Sequence, residues 1–248
     1  PLRFGLLLFP NLTQLDMTGP FEVLSRVPGG KVHLIWKNRE PVRADTGLTM
    51  MPDTDFADCP QMDVICVPGG PGVAALMEDE EVLAFLRAQA AGARFITSVC
   101  TGALVLGAAG LLKGVRATTH WASHDFLASL GAVPEQARWV RDGRVVTGGG
   151  VTAGIDFALA LVAEMVSPEA AQAIQLQIEY APAPPFDAGS PRTAPVAVLA
   201  MATTRHAGGV HSPGAIRRLR RLRPDRIHAC GRERRRPCRR LDGLADVV

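Results

Sequence analysis

Nowhere in its 248 residues does the chain hold an apolar run of about 18 residues, so no membrane-spanning helix is expected. It has no Cys-x-x-Cys pair and no cluster of His, Cys, Asp or Glu at ligand spacing, so no metal site is expected. Five cysteines (Cys59, Cys66, Cys100, Cys230, Cys238) are scattered and odd in number. That excludes a fully paired disulfide framework and fits a reducing, cytoplasmic setting. The glycine-rich "PGGPG" (68–72) lacks both the Lys-Ser/Thr of a phosphate loop and G-x-G-x-x-G spacing, and no cofactor is expected. No internal repeat is present. The opening "PLRFGLLLFPNLTQLD" has one Arg, a short apolar run and no small-residue cleavage site, and reads as a first strand rather than a signal peptide.

Charge is uneven. Residues 202–248 contain thirteen Arg, no Lys and four acids, a net +9; the whole chain is +3, so the remainder is −6. A mildly acidic body carries a basic tail. The tail has no sustained apolar helix period and is interrupted by Pro224 and Pro237, so it offers phosphate contacts but no sequence-reading domain, and nucleic acid is not an expected partner. Its all-Arg character and loss of patterning are what a shifted reading frame near residue 200 of a GC-rich gene would produce.

What the chain does have is 47% hydrophobic residues, ample for a core, arranged as alternating short strands and helices. Strands are expected at 2–9, 31–37, 62–70, 93–100 and 115–120, and hairpins at 41–53 and 138–150. Helices are expected at 15–27 (regular from about Pro20), 78–92, 101–112, 121–131, 152–166 and 168–181. This order predicts an α/β fold: one flavodoxin-like, doubly wound domain over 1–196, its mostly parallel sheet sandwiched by helices, followed by the atypical tail 197–248. Sites in such sheets lie beyond the carboxyl ends of strands. Asp16, Gly69-Gly70 and Cys100 fall at three of those ends.

Cys100 closes the strand "ARFITSVC" and opens the helix "TGALVLGAAGLL". A strand–nucleophile–helix elbow lifts one side chain into a cleft, and the helix N-terminus favours the reactive thiolate. Most free cysteines are merely small buried hydrophobes, and position is what sets this one apart. The N–H groups of Thr101 and the Gly70 loop are candidates to face developing negative charge. Asp16 has two readings: a helix N-terminal carboxylate, or an acid set against Cys100 whose pKa burial raises. His120, in "TTHW", is either a participant or a satisfied core histidine; His33 and His124 read as structural or surface groups.

Five blocks, "FPNLTQLDMTGPFEVL", "DVICVPGGPGV", "SVCTGALVLGAAGLLKGVRATTHW", "VVTGGGVTAGIDFALALV" and "QLQIEYAPAPPFDAGSP", resemble the ThiJ/PfpI superfamily in order, over about residues 2–196. Its fold is similar to that of class I glutamine amidotransferases, and within it the likeness is to isocyanide hydratases and to the sensor half of AraC-type regulators. The resemblance implies Cys100 as nucleophile and Asp16 as its acidic partner. Thr101 stands where protease-like members carry His, which argues against peptidase activity. It also implies a small-molecule isocyanide substrate, a homodimer, and a cleft shaped for an apolar substituent by Trp121 and the glycines around Gly149. Two other activities are implied by other members: a non-catalytic sensor as in AraC-type regulators, and a glyoxalase-like enzyme, though those more often carry Glu at the position of Asp16.

Overall fold

Buried apolar runs become parallel strands, and the polar-to-apolar alternations between them become helices that cover the sheet. A computed structural model describes residues 1–206. In chain order the strands are β1 (Arg3–Leu7), β2 (Lys31–Trp36), β3 (Val42–Arg43), β4 (Thr49–Met50), β5 (Thr54–Asp55), β6 (Val64–Val67), β7 (Phe95–Val99), β8 (Arg116–Ala117), β9 (Val133–Pro134), β10 (Trp139–Asp142) and β11 (Val145–Gly148). The helices are α1 (Gln14–Leu24), α2 (Val73–Leu76), α3 (Glu80–Gly92), α4 (Gly102–Ala108), α5 (Ala153–Met165), α6 (Pro168–Gln177) and α7 (Val196–His206).

The main sheet has seven strands in the order β10-β11-β7-β6-β1-β2-β5, all parallel except the β10 edge. Strands β6 and β7 are buried throughout and so read as unbroken apolar runs. Helices α1, α5 and α6 pack on one another, as do α2 and α3 on α4, giving two helical groups around the sheet. This is the doubly wound α/β architecture the sequence predicts. Phe4, Leu6, Leu7, Leu8, Ile65, Leu86 and Phe157 are among the fully enclosed side chains at its centre. From β1 the chain moves to β2 on one side and returns to β6 on the other, so the winding reverses between β1 and β6. That crevice is where an open α/β sheet offers a site.

Four local expectations change. Helix α1 begins at Gln14, not near Pro20, and Pro20 lies inside it. Pro20 forgoes the hydrogen bond that residue 20 would give to the Asp16 carbonyl. Its ring instead sits where α1 crosses α5 closely: a Cβ on Gly154 would stand 2.9 Å from Pro20 Cδ. The segment expected as a helix over 121–131 is two 3-10 turns, Trp121–Phe126 and Ala128–Leu130, ended by Gly131 at φ 83°. The expected strand 115–120 pairs only at Arg116–Ala117, with β9 in a separate small sheet. Helix α7 begins at the expected start of the tail; the Arg-rich run 207–248, with the frame-shift reading attached to it, lies outside the described residues.

Candidate active site

The elbow at Cys100 is held by the sheet around it. Cys100 has φ 56°, a left-handed conformation that costs a non-glycine residue roughly 1–2 kcal/mol. Its own backbone groups hold it there. The Cys100 N–H donates to the Gly148 carbonyl at 3.0 Å, extending the β7–β11 pairing. The Thr119 hydroxyl donates to the Cys100 carbonyl at 2.7 Å. A Cβ on Gly102 would collide with the Val67 carbonyl, so glycine there lets α4 start close against β6.

Asp16 comes from the first turn of α1 and is completely enclosed. Its Oδ2 accepts the Gly69 N–H at 2.8 Å, and its carboxyl meets the Cys100 thiol. Oδ1 is buried without a hydrogen-bond partner among the described residues. Burial pushes the Asp16 carboxyl up to about 7; the Gly69 N–H and the Cys100 thiol pull the other way, and Asp45 adds a small push upward.

Thr101 fixes the other flank of the sulfur. Its hydroxyl oxygen accepts the Gly70 N–H at 3.0 Å, which leaves the hydroxyl proton for the Cys100 sulfur; the Thr101 N–H faces the sulfur as well. Gly70 therefore reaches the thiol through Thr101, since its own N–H is engaged. Neither glycine of the loop has room for a side chain. A Cβ on Gly69 would stand 2.6 Å from the Thr101 nitrogen and hydroxyl and 2.9 Å from Asp16 Oδ2. Gly70 has φ 131° and would bring a Cβ within 2.5 Å of the Thr13 nitrogen.

The expected lowering of the Cys100 thiol by a helix N-terminus is not what its surroundings produce. Burial and the neighbouring Asp16 charge push it well above the usual thiol range and outweigh the Thr101 N–H and hydroxyl. Burial likewise lifts Cys66 to about 12 and Cys59 to about 11, so a raised pKa does not distinguish Cys100 from structural thiols. The distinction is geometric: Cys100 shares a dry pocket with an acid that titrates near neutrality. The two groups are coupled. After the first proton leaves, the pair holds one proton and one negative charge, with Gly69 N–H donating to the carboxyl side and Thr101 to the sulfur side. Burial opposes a second charge in the same space.

Beside this centre lies an open cleft of about 530 Å³. His120, Trp121 and Gly149 line it, together with Thr119, Val151, Thr152, Arg138 and the Gly189–Arg192 segment. Cys100, Asp16, Thr101 and Gly70 are not on its wall. Thr119 and Gly149 join the two regions, one bonded to the Cys100 carbonyl and the other following Gly148. The site residues expected from sequence thus fall into a buried set and a cleft set. His120 accepts the Ala122 N–H at 3.3 Å through Nδ1 and caps the first 3-10 turn. His124 bonds the Glu135 carbonyl through Nε2 at 3.1 Å, and His33 is buried against Thr54 at 2.9 Å. Sequence reasoning did not find Thr119, Arg138 or Arg192. Thr119 had a local signal, since it directly precedes His120 at a strand end; the arginines had none, because distant segments bring them to the cleft. No group of three His, Cys, Asp or Glu among the described residues is placed to hold a metal.

Known proteins share this arrangement of chain. Residues 3–164 match the DJ-1/PfpI family. The isonitrile hydratase of Pseudomonas putida is 63% identical over 206 residues, 83% of this chain and 90% of that protein. A crystal structure of a ThiJ/PfpI family protein from Pseudomonas syringae superposes with a TM-score of 0.83 at 42% identity, covering 89% of each chain. The transcriptional regulator GbdR of Pseudomonas aeruginosa is 31% identical over 191 residues, 73% of this chain but 51% of the regulator.

Proposed function

The chain belongs to the DJ-1/PfpI family, and we propose that it is an isocyanide hydratase in which Cys100 is the nucleophile and Asp16 the proton carrier. The observation that carries this reading is the buried carboxyl–thiol pair, in which burial pushes the Asp16 carboxyl up to about 7 beside the Cys100 sulfur. An isocyanide needs a soft nucleophile at its terminal carbon and a proton at that same carbon, and the pair supplies both from adjacent atoms.

In the first step the pair's one proton passes from the Cys100 sulfur to Asp16, and the resulting thiolate forms a C–S bond to the terminal carbon while Asp16 gives that proton to the same carbon. The product is a thioimidate, R–N=CH–S–Cys100. Asp16, now a carboxylate, takes a proton from water as the hydroxyl adds to the same carbon. The remaining hydroxyl proton ends on nitrogen as the C–S bond breaks. N-substituted formamide leaves, Cys100 is again a thiolate and Asp16 is again protonated. The charge passes between sulfur and carboxyl within one buried site, without a second charge to accommodate. Thr101 steadies the sulfur through its N–H and hydroxyl, and Gly70 fixes the Thr101 oxygen. His120, Trp121 and Gly149, on the cleft wall, hold the substituent R.

Two further features belong to the same reading. A homodimer is supported by the outward-facing apolar side chains Leu176, Phe186 and Val196, and a cytoplasmic location by the free thiols Cys59, Cys66 and Cys100. No helix among the described residues is long and apolar enough to cross a membrane.

The test is consumption of an aryl isocyanide followed in the ultraviolet, with formamide identified as product. Wild type is expected to turn over, and Cys100→Ala and Asp16→Asn to lose turnover while keeping the wild-type circular dichroism. A folded wild type that produces no formamide would refute the hydratase.

A further inference from the structure

Hydration of the isocyanide group gives the cleft no reason to be positively charged. Isocyanide, water and formamide are all neutral. Yet the wall carries the guanidinium groups of Arg138 and Arg192 and no Asp or Glu side chain. The two arginines differ. Arg138 is already neutralised: its Nε pairs with Asp156, and Nη2 donates to the Tyr180 hydroxyl at 3.4 Å. Tyr180 in turn donates to Asp156 at 2.8 Å, which closes a three-residue set from just before β10, from α5 and from just after α6. Arg192 has no hydrogen-bond or ion-pair partner among the described residues. The start of α5 contributes to the same wall through Val151 and Thr152, and the Thr152 side chain does not cap it. A concave wall with one unneutralised guanidinium and no acid of its own attracts anions.

We propose that the R group of the preferred isocyanide carries a carboxylate, received by the guanidinium of Arg192 in the cleft beside Cys100. The planar fork of a guanidinium fits a carboxylate through two parallel hydrogen bonds. The volume of about 530 Å³ accommodates an aryl- or alkyl-sized body. Trp121 supplies an apolar face for that body, so the cleft takes an amphipathic substituent and not a purely apolar one. This inference rests on the hydratase reading and names its substrate class.

The experiment compares 4-isocyanobenzoate with 4-isocyanobenzamide, which matches it in size and lacks the charge. Wild type is expected to favour the benzoate in kcat/KM by about fivefold, the scale of a partly exposed charge pair, mostly through KM. Arg192→Gln should bring that ratio close to one, and Arg192→Lys should retain part of it. Raising the salt concentration should shrink the wild-type ratio. A wild type that hydrates both compounds with equal kcat/KM overturns the carboxylate inference and leaves the hydratase intact, as does a preference that survives Arg192→Gln. A wild type that hydrates neither overturns both.

Discussion

The buried centre and the open cleft are built on opposite principles. At the centre every group is positioned by a neighbour: Asp16 by Gly69, Thr101 by Gly70, Cys100 by Gly148 and Thr119. A single methyl on Gly69 would touch both the acid and the threonine. In the cleft, Gly150 has no atom within 4 Å of where its Cβ would stand, His120 caps a local turn, His124 bonds the Glu135 carbonyl, and Arg192 has no partner among the described residues. Chemistry that moves a proton between two atoms tolerates little error in their separation. Recognition of a substituent tolerates much more, so the fold places the first at strand ends and leaves the second to loops.

The largest effect that would test this contrast is at the sulfur. Cys100→Ala should lower kcat by about 10³-fold or more, with no loss of folding, because the lost side chain is small. Asp16→Asn should lower kcat/KM by about 10²-fold, the range for one general acid–base group.

Asp16→Asn should also change how stability depends on pH. In the unfolded chain an aspartate ionises near 3.9, whereas in the fold Asp16 holds its proton to about 7. Between those values the folded state binds more protons, so the group's contribution to stability falls as pH rises and levels off above about 7. Asparagine removes this dependence. Relative to wild type, the variant should gain on the order of 4 kcal/mol on going from pH 4 to pH 8, read from denaturant unfolding at both values. A difference that is constant across that range would mean that Asp16 titrates normally.

Gly69→Ala should come next, destabilising by roughly 1–3 kcal/mol from overpacking and reducing activity with it. Gly150→Ala, on the cleft side, should change stability by no more than about 0.5 kcal/mol. Equal tolerance at the two glycines in thermal melts would erase the distinction between the regions.

The same division governs what the sequence made legible. Strand order, helix order and the elbow are encoded locally. "MDVICVPGG" and "ARFITSVC" are apolar runs that end in turn residues, and folding in parallel register necessarily brings their ends together beside β1. Cys100 and Asp16 were therefore readable before their contact was visible. The raised thiol was not, because burial depends on the whole enclosure and not on the helix that starts at Gly102. "WASHDFLASLG" has helical composition but forms two 3-10 turns, capped by His120 at one end and by Gly131 at the other. Strand β5 and helix α2 span two and four residues and carry too little pattern to detect. The cleft was least legible of all, since Arg138, Val151 and Arg192 meet only after the 3-10 turns, β10–β11 and the segment after α6 are in place.

The central claim is that Cys100 bonds covalently to the isocyanide carbon during turnover. Rapid acid quench of wild type mixed with an aryl isocyanide, followed by intact mass and peptide mapping, tests it directly. An added mass equal to one isocyanide is expected on the peptide that holds Cys100, appearing before formamide and absent in Cys100→Ala. Continued turnover with no such adduct, or with the added mass on Cys59, would contradict it.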